Sequence, residues 1–119
     1  MSSRPIGVFD SGVGGISVLR SMRALLPDER IIYYGDNLNA PYGTRPEEEI
    51  LALTLASVEA LLARDVKALV IACNTATSAA AHELRARLTL PIIGMEPALK
   101  PAALASSGGS ILVMATPAT

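Results

Sequence analysis

Short apolar runs alternate with segments of helical period along the whole chain, and each run gives way to a polar or glycine-bearing loop. Pro5 to Phe9, Arg30 to Tyr34, Lys67 to Ala72, Pro91 to Gly94 and Ser110 to Ala115 read as strands. Between them, Ile16, Leu19, Met22 and Leu26 recur at helical spacing, as do Leu51, Leu55, Val58 and Leu62, and Ala80, Leu84 and Leu88. Pro97 to Ala105 reads as a further short helix. Lys67 to Ala72 is unbroken rather than alternating, the pattern of a strand buried on both faces of a parallel sheet. Thr44-Arg45-Pro46-Glu47 matches a capping box ahead of the second helix.

Strands alternating with helices define an α/β fold: a parallel sheet with helices on both faces, doubly wound and flavodoxin-like, with expected strand order 2-1-3-4-5. In such a sheet, ligands collect beyond the carboxyl ends of the strands. The chain stops at Thr119, just past the fifth predicted strand. A doubly wound sheet does not normally end without a helix there, so the expectation is a truncated protein, incomplete at its carboxyl end.

Composition narrows the function. The chain of 119 residues suits one small core, built from Leu, Ile, Val and Ala because only three Tyr and one Phe are present. Ten basic against eleven acidic residues leave no electrostatic footprint for nucleic acid and no basic cluster for an anionic membrane. One cysteine and one histidine, His82, exclude an internal disulfide and a Cys/His zinc cluster, so no metal is expected. No run approaches the roughly 18 apolar residues of a membrane span, and the amino terminus lacks a signal-peptide core; the expected location is the cytoplasm. The positive mean hydropathy of +0.41 also leaves surface for further protein, either the rest of the same protein or a second copy in a homodimer.

Asp10, Cys73 and Thr116 each fall at or just beyond the carboxyl end of a predicted strand, and Pro41-Tyr42-Gly43 follows another. If the first and third strands are neighbours, their ends lie about 4.8 Å apart, so Asp10 and Cys73 meet one ligand. Cys73 precedes a helix, whose N-terminus favours thiolate, while an ionised Asp10 would oppose it or exchange a proton with it. Asp10-Ser11 has a plain reading as a helix cap. The alternative is that Gly12 to Gly15 form a nest of N–H groups aimed at an anion.

The Walker pattern is absent, and Ser17 stands where the dinucleotide fingerprint needs its last glycine. Asp36 follows Gly14 by 22 residues, near the place of a ribose-binding acid, which keeps a nucleotide-binding module as a rival reading. Tyr42 reads as a surface side chain in a turn or as a lid over a small ligand. Asn74 and Thr75 read as helix caps or as contacts to an amino or carboxylate group. Glu47-Glu48-Glu49 and His82 read as solvated helix residues.

Asp10-Ser11-Gly12-Val13-Gly14-Gly15, Pro41-Tyr42-Gly43, Cys73-Asn74-Thr75-Ala76 and Gly94-Met95-Glu96-Pro97 resemble, in order and through the whole chain, the successive signatures of the glutamate racemases. The resemblance implies a cofactor-independent enzyme interconverting L- and D-glutamate for bacterial peptidoglycan, with two α/β lobes and a cysteine on each side of the substrate carbon. It implies that Cys73 takes the proton from D-glutamate with Asp10 assisting, and that Asp10, Ser11, Tyr42, Gly43, Asn74, Thr75 and Thr116 contact substrate. Residues 1–97 would form the first lobe and 98–119 the start of the second. The family's second cysteine lies in a Gly-Cys-Thr-His segment that this chain lacks, and Ala118 stands where the family carries glycine. The isolated chain is therefore expected to be inactive. Aspartate racemase and a non-enzymatic amino-acid-binding lobe remain the alternatives.

Overall fold

The computed structural model describes residues 2–119 and contains four strands and four helices in strict alternation. These are β1 (Ile6–Asp10), α1 (Ile16–Leu25), β2 (Ile31–Gly35), α2 (Glu47–Leu62), β3 (Ala68–Ile71), α3 (Asn74–Arg87), β4 (Ile92–Gly94) and α4 (Leu99–Ala105). The strands form one parallel sheet in the order β2-β1-β3-β4. The chain first moves outward from β1 to β2, then crosses back over β1 to lay down β3 and β4. The order therefore reverses between β1 and β3, and the crevice for a ligand opens there.

Right-handed crossovers place α1 on one face and α2 with α3 on the other. Side chains of β1 alternate accordingly. Ile6 and Val8 pack with Val70 against Val18 and Met22 of α1, whereas Phe9 joins Val58, Leu61, Leu69, Ile71, Ala80 and Leu84 in the larger core. The small residues of α3, Ala76, Ala80 and Ala81, are buried, and they let it lie close to α2.

Four local expectations are corrected. The stripe of α2 that faces the core is Ile50, Thr54, Ser57, Val58 and Leu61; Leu51, Leu55 and Leu62 are only partly buried. This helix is apolar around most of its circumference, so the sequence period leaves its rotation undetermined to within one residue. In α1 the contacts come from Val18 and Met22, and Ile16 is exposed. The capping box does not form: Pro46 occupies the cap position with no side-chain bond, and Arg45 instead pairs with Glu49 one turn on.

The fourth correction concerns Ser110 to Ala115, which is not a strand, so the sheet has four strands rather than five. A strand needs a ladder partner, and this run instead borders a cleft whose other wall is Pro97, Leu99 and Ala102, with Leu112 and Met114 almost wholly exposed. No helix among the described residues is long and apolar enough to cross a membrane.

Candidate active site

The register of β1 with β3 pairs Phe9 with Ile71, and the Ala72 N–H donates to the Phe9 carbonyl at 2.8 Å. The next residues along both strands, Asp10-Ser11 and Ala72-Cys73, therefore emerge side by side at the switch point. The Ser11 Oγ lies 3.4 Å from the Cys73 Sγ, a hydroxyl–thiol contact across 62 residues of sequence.

Cys73 is the N-cap of α3, and its sulfur accepts the Ala76 N–H at 3.3 Å. The side chain is 8% exposed. Capping normally falls to an oxygen; here a sulfur takes that place at the helix N-terminus.

Asp10 is also buried, and its Oδ2 accepts the N–H groups of Gly12 and Gly15, each at 3.1 Å. The loop expected to cradle a ligand anion thus folds around the protein's own carboxylate, which corrects the nest reading for these two amides. Gly15 has ordinary helical torsions, so its glycine is required for space: a Cβ there would stand 2.8 Å from the Asp10 Cβ and 3.0 Å from both the Ala72 Cβ and the Tyr33 hydroxyl.

Tyr33 closes the loop from beneath. Its hydroxyl donates to the Gly12 carbonyl at 2.9 Å. Burial, and then the Asp10 charge, push its pKa above the usual tyrosine value. A sequence reading passes over Tyr33 as a strand residue. The signal available was only that a half-buried tyrosine must place its hydroxyl somewhere.

Tyr42 is not a surface residue or a lid. It is 1% exposed, packs against Phe9 with ring centroids 6.1 Å apart, and donates its hydroxyl to the Asp36 Oδ2 at 2.6 Å. Burial, followed by that bond, pushes its pKa up. Asn39 Nδ2 donates to both Asp36 oxygens at 3.0 Å, and the Asp36 N–H donates to the Asp10 carbonyl at 3.0 Å. The Asp36 carboxylate is occupied inside the protein and does not serve as a ribose acceptor, so the nucleotide reading loses its second anchor.

Anchoring Tyr42 fixes Gly43 against the tail, where any side chain would collide with Thr116. Thr75, Thr116 and Thr119 bring their hydroxyls together at 2.9 Å in all three pairs. Thr116 reaches the site although the strand expected to deliver it is absent. Thr119, which the sequence reading leaves without a role, comes with it through a turn in which its N–H donates to the Thr116 carbonyl.

Asn74 stands apart from this cluster, exposed at the first turn of α3 beside a cleft of about 280 Å³ lined by Pro97, Leu99 and Ile111 to Met114. Behind Cys73, Thr77 donates to the Cys73 carbonyl at 2.9 Å and accepts the Met95 N–H at 3.2 Å, tying the thiol's backbone to the end of β4. Among the described residues, no group of three His, Cys, Asp or Glu side chains is arranged to hold a metal.

The site therefore joins a thiol at a helix N-terminus, a buried carboxylate and a ring of hydroxyls at the switch point of a parallel sheet. The chain matches the Asp/Glu/Hydantoin racemase family over residues 6–119, and it belongs to that family.

A glutamate racemase from Clostridium botulinum (strain Hall) is 56% identical over 119 residues, and one from Clostridium novyi (strain NT) is 58% identical over 120. Each alignment takes in 100% of this chain but 46% of the relative, so the chain spans about half the length of these relatives. Among solved structures, glutamate racemase from Bacillus anthracis aligns with a TM-score of 0.82 at 41% identity, over 90% of this chain and 41% of that one. The Thermus thermophilus glutamate racemase, in complex with β-chloro-D-alanine, gives 0.77 at 44% identity, over 91% and 41%.

Proposed function

We propose that this chain is the substrate-binding and proton-abstracting lobe of a glutamate racemase, with Cys73 as the base for D-glutamate. The observation that carries this is the placement of the Cys73 sulfur. It lies at the start of α3, 3.4 Å from Ser11 and on the same strand-end crevice as Asp10. Residues 1–97 form the first lobe in this reading, and 98–119 begin the second.

Racemisation breaks the Cα–H bond from one face and rebuilds it on the other. The Cys73 thiolate takes the proton, the electron pair stays on the α-carbon as a carbanion conjugated with the carboxylate, and a second acid on the opposite face returns a proton. One base cannot serve both faces of a bound substrate, so the second acid comes from the part of the protein beyond Thr119. In this reading Asp10, at the end of β1 beside the β3 end that leads to Cys73, governs the thiol. Ser11, the Tyr42-Gly43 backbone, Asn74, Thr75 and Thr116 supply donors and acceptors for the amino and carboxylate groups. A thiol and a carboxylate suffice for this proton transfer without a cofactor. The product would feed peptidoglycan synthesis in the cytoplasm, where a homodimer is compatible with the exposed apolar surface.

The test uses the full-length protein in deuterated buffer and follows loss of the α-proton signal of D-glutamate. Cys73→Ala should slow exchange on the order of 10²–10⁴-fold, the usual contribution of a positioned base. Exchange at the wild-type rate would remove Cys73 from the mechanism. The 119-residue chain alone should not racemise glutamate, and turnover by it would overturn the two-lobe requirement.

A further inference from the structure

We propose that Tyr33 is a positioning residue for the Asp10–Cys73 pair, acting through the Gly12 carbonyl. This rests on the reading above in which Asp10 governs the thiol. The hydrogen bonds form one chain. The Tyr33 hydroxyl holds the Gly12 carbonyl at 2.9 Å, and the Gly12 and Gly15 N–H groups hold the Asp10 Oδ2 at 3.1 Å each. The Ser11 hydroxyl, inside the same loop, touches the Cys73 sulfur at 3.4 Å.

The Tyr33 hydroxyl bonds the Gly12 carbonyl, and its influence on the sulfur passes through the loop. Its ring stands on β2, the strand paired to β1, so its height beneath the loop is set by the sheet register that aligns Val8 with Tyr33. Gly15 must be glycine partly because the Tyr33 oxygen fills the space a Cβ would take, 3.0 Å away. The loop is thus clamped between a rigid phenol on one side and the end of β3 on the other.

Two N–H donors offset the charge of a carboxylate and fix where it lies. Without the Tyr33 hydroxyl, the Gly12 peptide is released, these donors loosen, and the Asp10 charge is less compensated. A less compensated negative charge next to Cys73 opposes its thiolate.

Carbamidomethylation of Cys73 by iodoacetamide in the full-length protein is followed between pH 6 and pH 10 by mass spectrometry of the Cys73-bearing peptide, for wild type, Asp10→Asn, Tyr33→Phe and the double variant. Asp10→Asn should move the profile to lower pH. Tyr33→Phe should move it to higher pH, slowing alkylation at pH 7.5 roughly two- to fivefold, and this effect should vanish when residue 10 is Asn. A Tyr33→Phe profile equal to wild type, or an equal slowing in both backgrounds, would overturn the proposal.

If Asp10→Asn alone leaves the profile unchanged, the reading in which Asp10 governs the thiol fails, and the Tyr33 clamp is then decided by amide exchange alone. Amide hydrogen exchange separates the two failures. Tyr33→Phe should speed exchange at Gly12 and Gly15 even then, which would confine the error to the charge coupling, whereas unchanged exchange refutes the clamp itself. No variant is needed for a last check: in wild type both amides should exchange slowly, and rapid exchange at both overturns the clamp.

Discussion

Replacing Gly15 with alanine separates two reasons for a glycine that are usually entangled. At φ −69° and ψ −7° the backbone of Gly15 is open to any L-residue. Conformational strain therefore contributes nothing, and the lost flexibility of the unfolded chain should even favour alanine by about 0.4–1 kcal/mol. Against this stand the three contacts of the added methyl, at 2.8 Å from the Asp10 Cβ and 3.0 Å from the Ala72 Cβ and the Tyr33 hydroxyl.

The first two of these atoms are rooted in β1 and at the end of β3, so neither can swing aside as the tip of a flexible side chain would. Overpacking of this kind costs about 1–3 kcal/mol. Any shift that relieves it stretches the Gly15 N–H bond to the Asp10 carboxylate, and hydrogen bonds to charged groups are worth about 1.5–3 kcal/mol. Partial loss of that bond on top of the overpacking, less the entropic gain, leaves a net destabilisation of about 2–3 kcal/mol. For a chain of this size that corresponds to a fall in Tm of roughly 8–15 °C, read by far-ultraviolet circular dichroism. Adding Tyr33→Phe removes one of the three obstructions, so the double variant should lose less stability than the sum of its parts. A Gly15→Ala melt at or above the wild-type temperature would refute the reasoning, because backbone entropy would then have outweighed the contacts.

The remaining predictions concern the core. Thr54 is fully buried on α2 with no hydrogen-bond partner for its hydroxyl among the described residues, so Thr54→Val should stabilise by about 1 kcal/mol in urea denaturation; a loss of that size would reveal a partner for the hydroxyl. Tyr33 and Tyr42 both hold their protons more tightly when folded than the ordinary value of 10.0. Their contribution to stability is therefore complete below about pH 10 and lost as the pH rises from there through the folded-state values. The urea midpoint should fall steeply above about pH 10 and less steeply in Tyr42→Phe; an unchanged slope in that variant would count against Tyr42 as the seat of the effect.

The sheet was legible because each strand carries its own signal. An unbroken apolar run at Lys67 to Ala72 and the short runs at Pro5 and Arg30 need only local composition to be recognised, and alternation with helices then dictates parallel pairing. That logic also puts Asp10 and Cys73 at neighbouring strand ends. It failed at Ser110 to Ala115 because strand composition does not supply a ladder partner, and this run borders a cleft beside α4 and Pro97 rather than joining the sheet. It failed for the face of α2 because Leu and Ile surround that helix, so Thr54 and Ser57 could turn inward unannounced.

The part of the site that stayed hidden has a common physical character. Tyr33, Asp36 and Tyr42 matter through hydroxyl and carboxylate contacts made inside the protein, toward Gly12 and toward one another, and such contacts leave no periodic trace in a sequence. Glycine, aspartate and cysteine at strand ends announce a loop with chemistry; the side chains that hold that loop still look like ordinary strand and turn residues. Here the supporting set is the larger one. The acid at Asp10 is held by two amides, those amides belong to a loop fastened by a phenol, and Gly43 is placed by a second phenol locked onto Asp36. A site built this way concentrates its hydrogen-bonded support on the Asp10–Cys73 side. The hydroxyls of Thr116 and Thr119 belong to the chain that leaves the sheet, and the exposed Asn74 borders the cleft beside it.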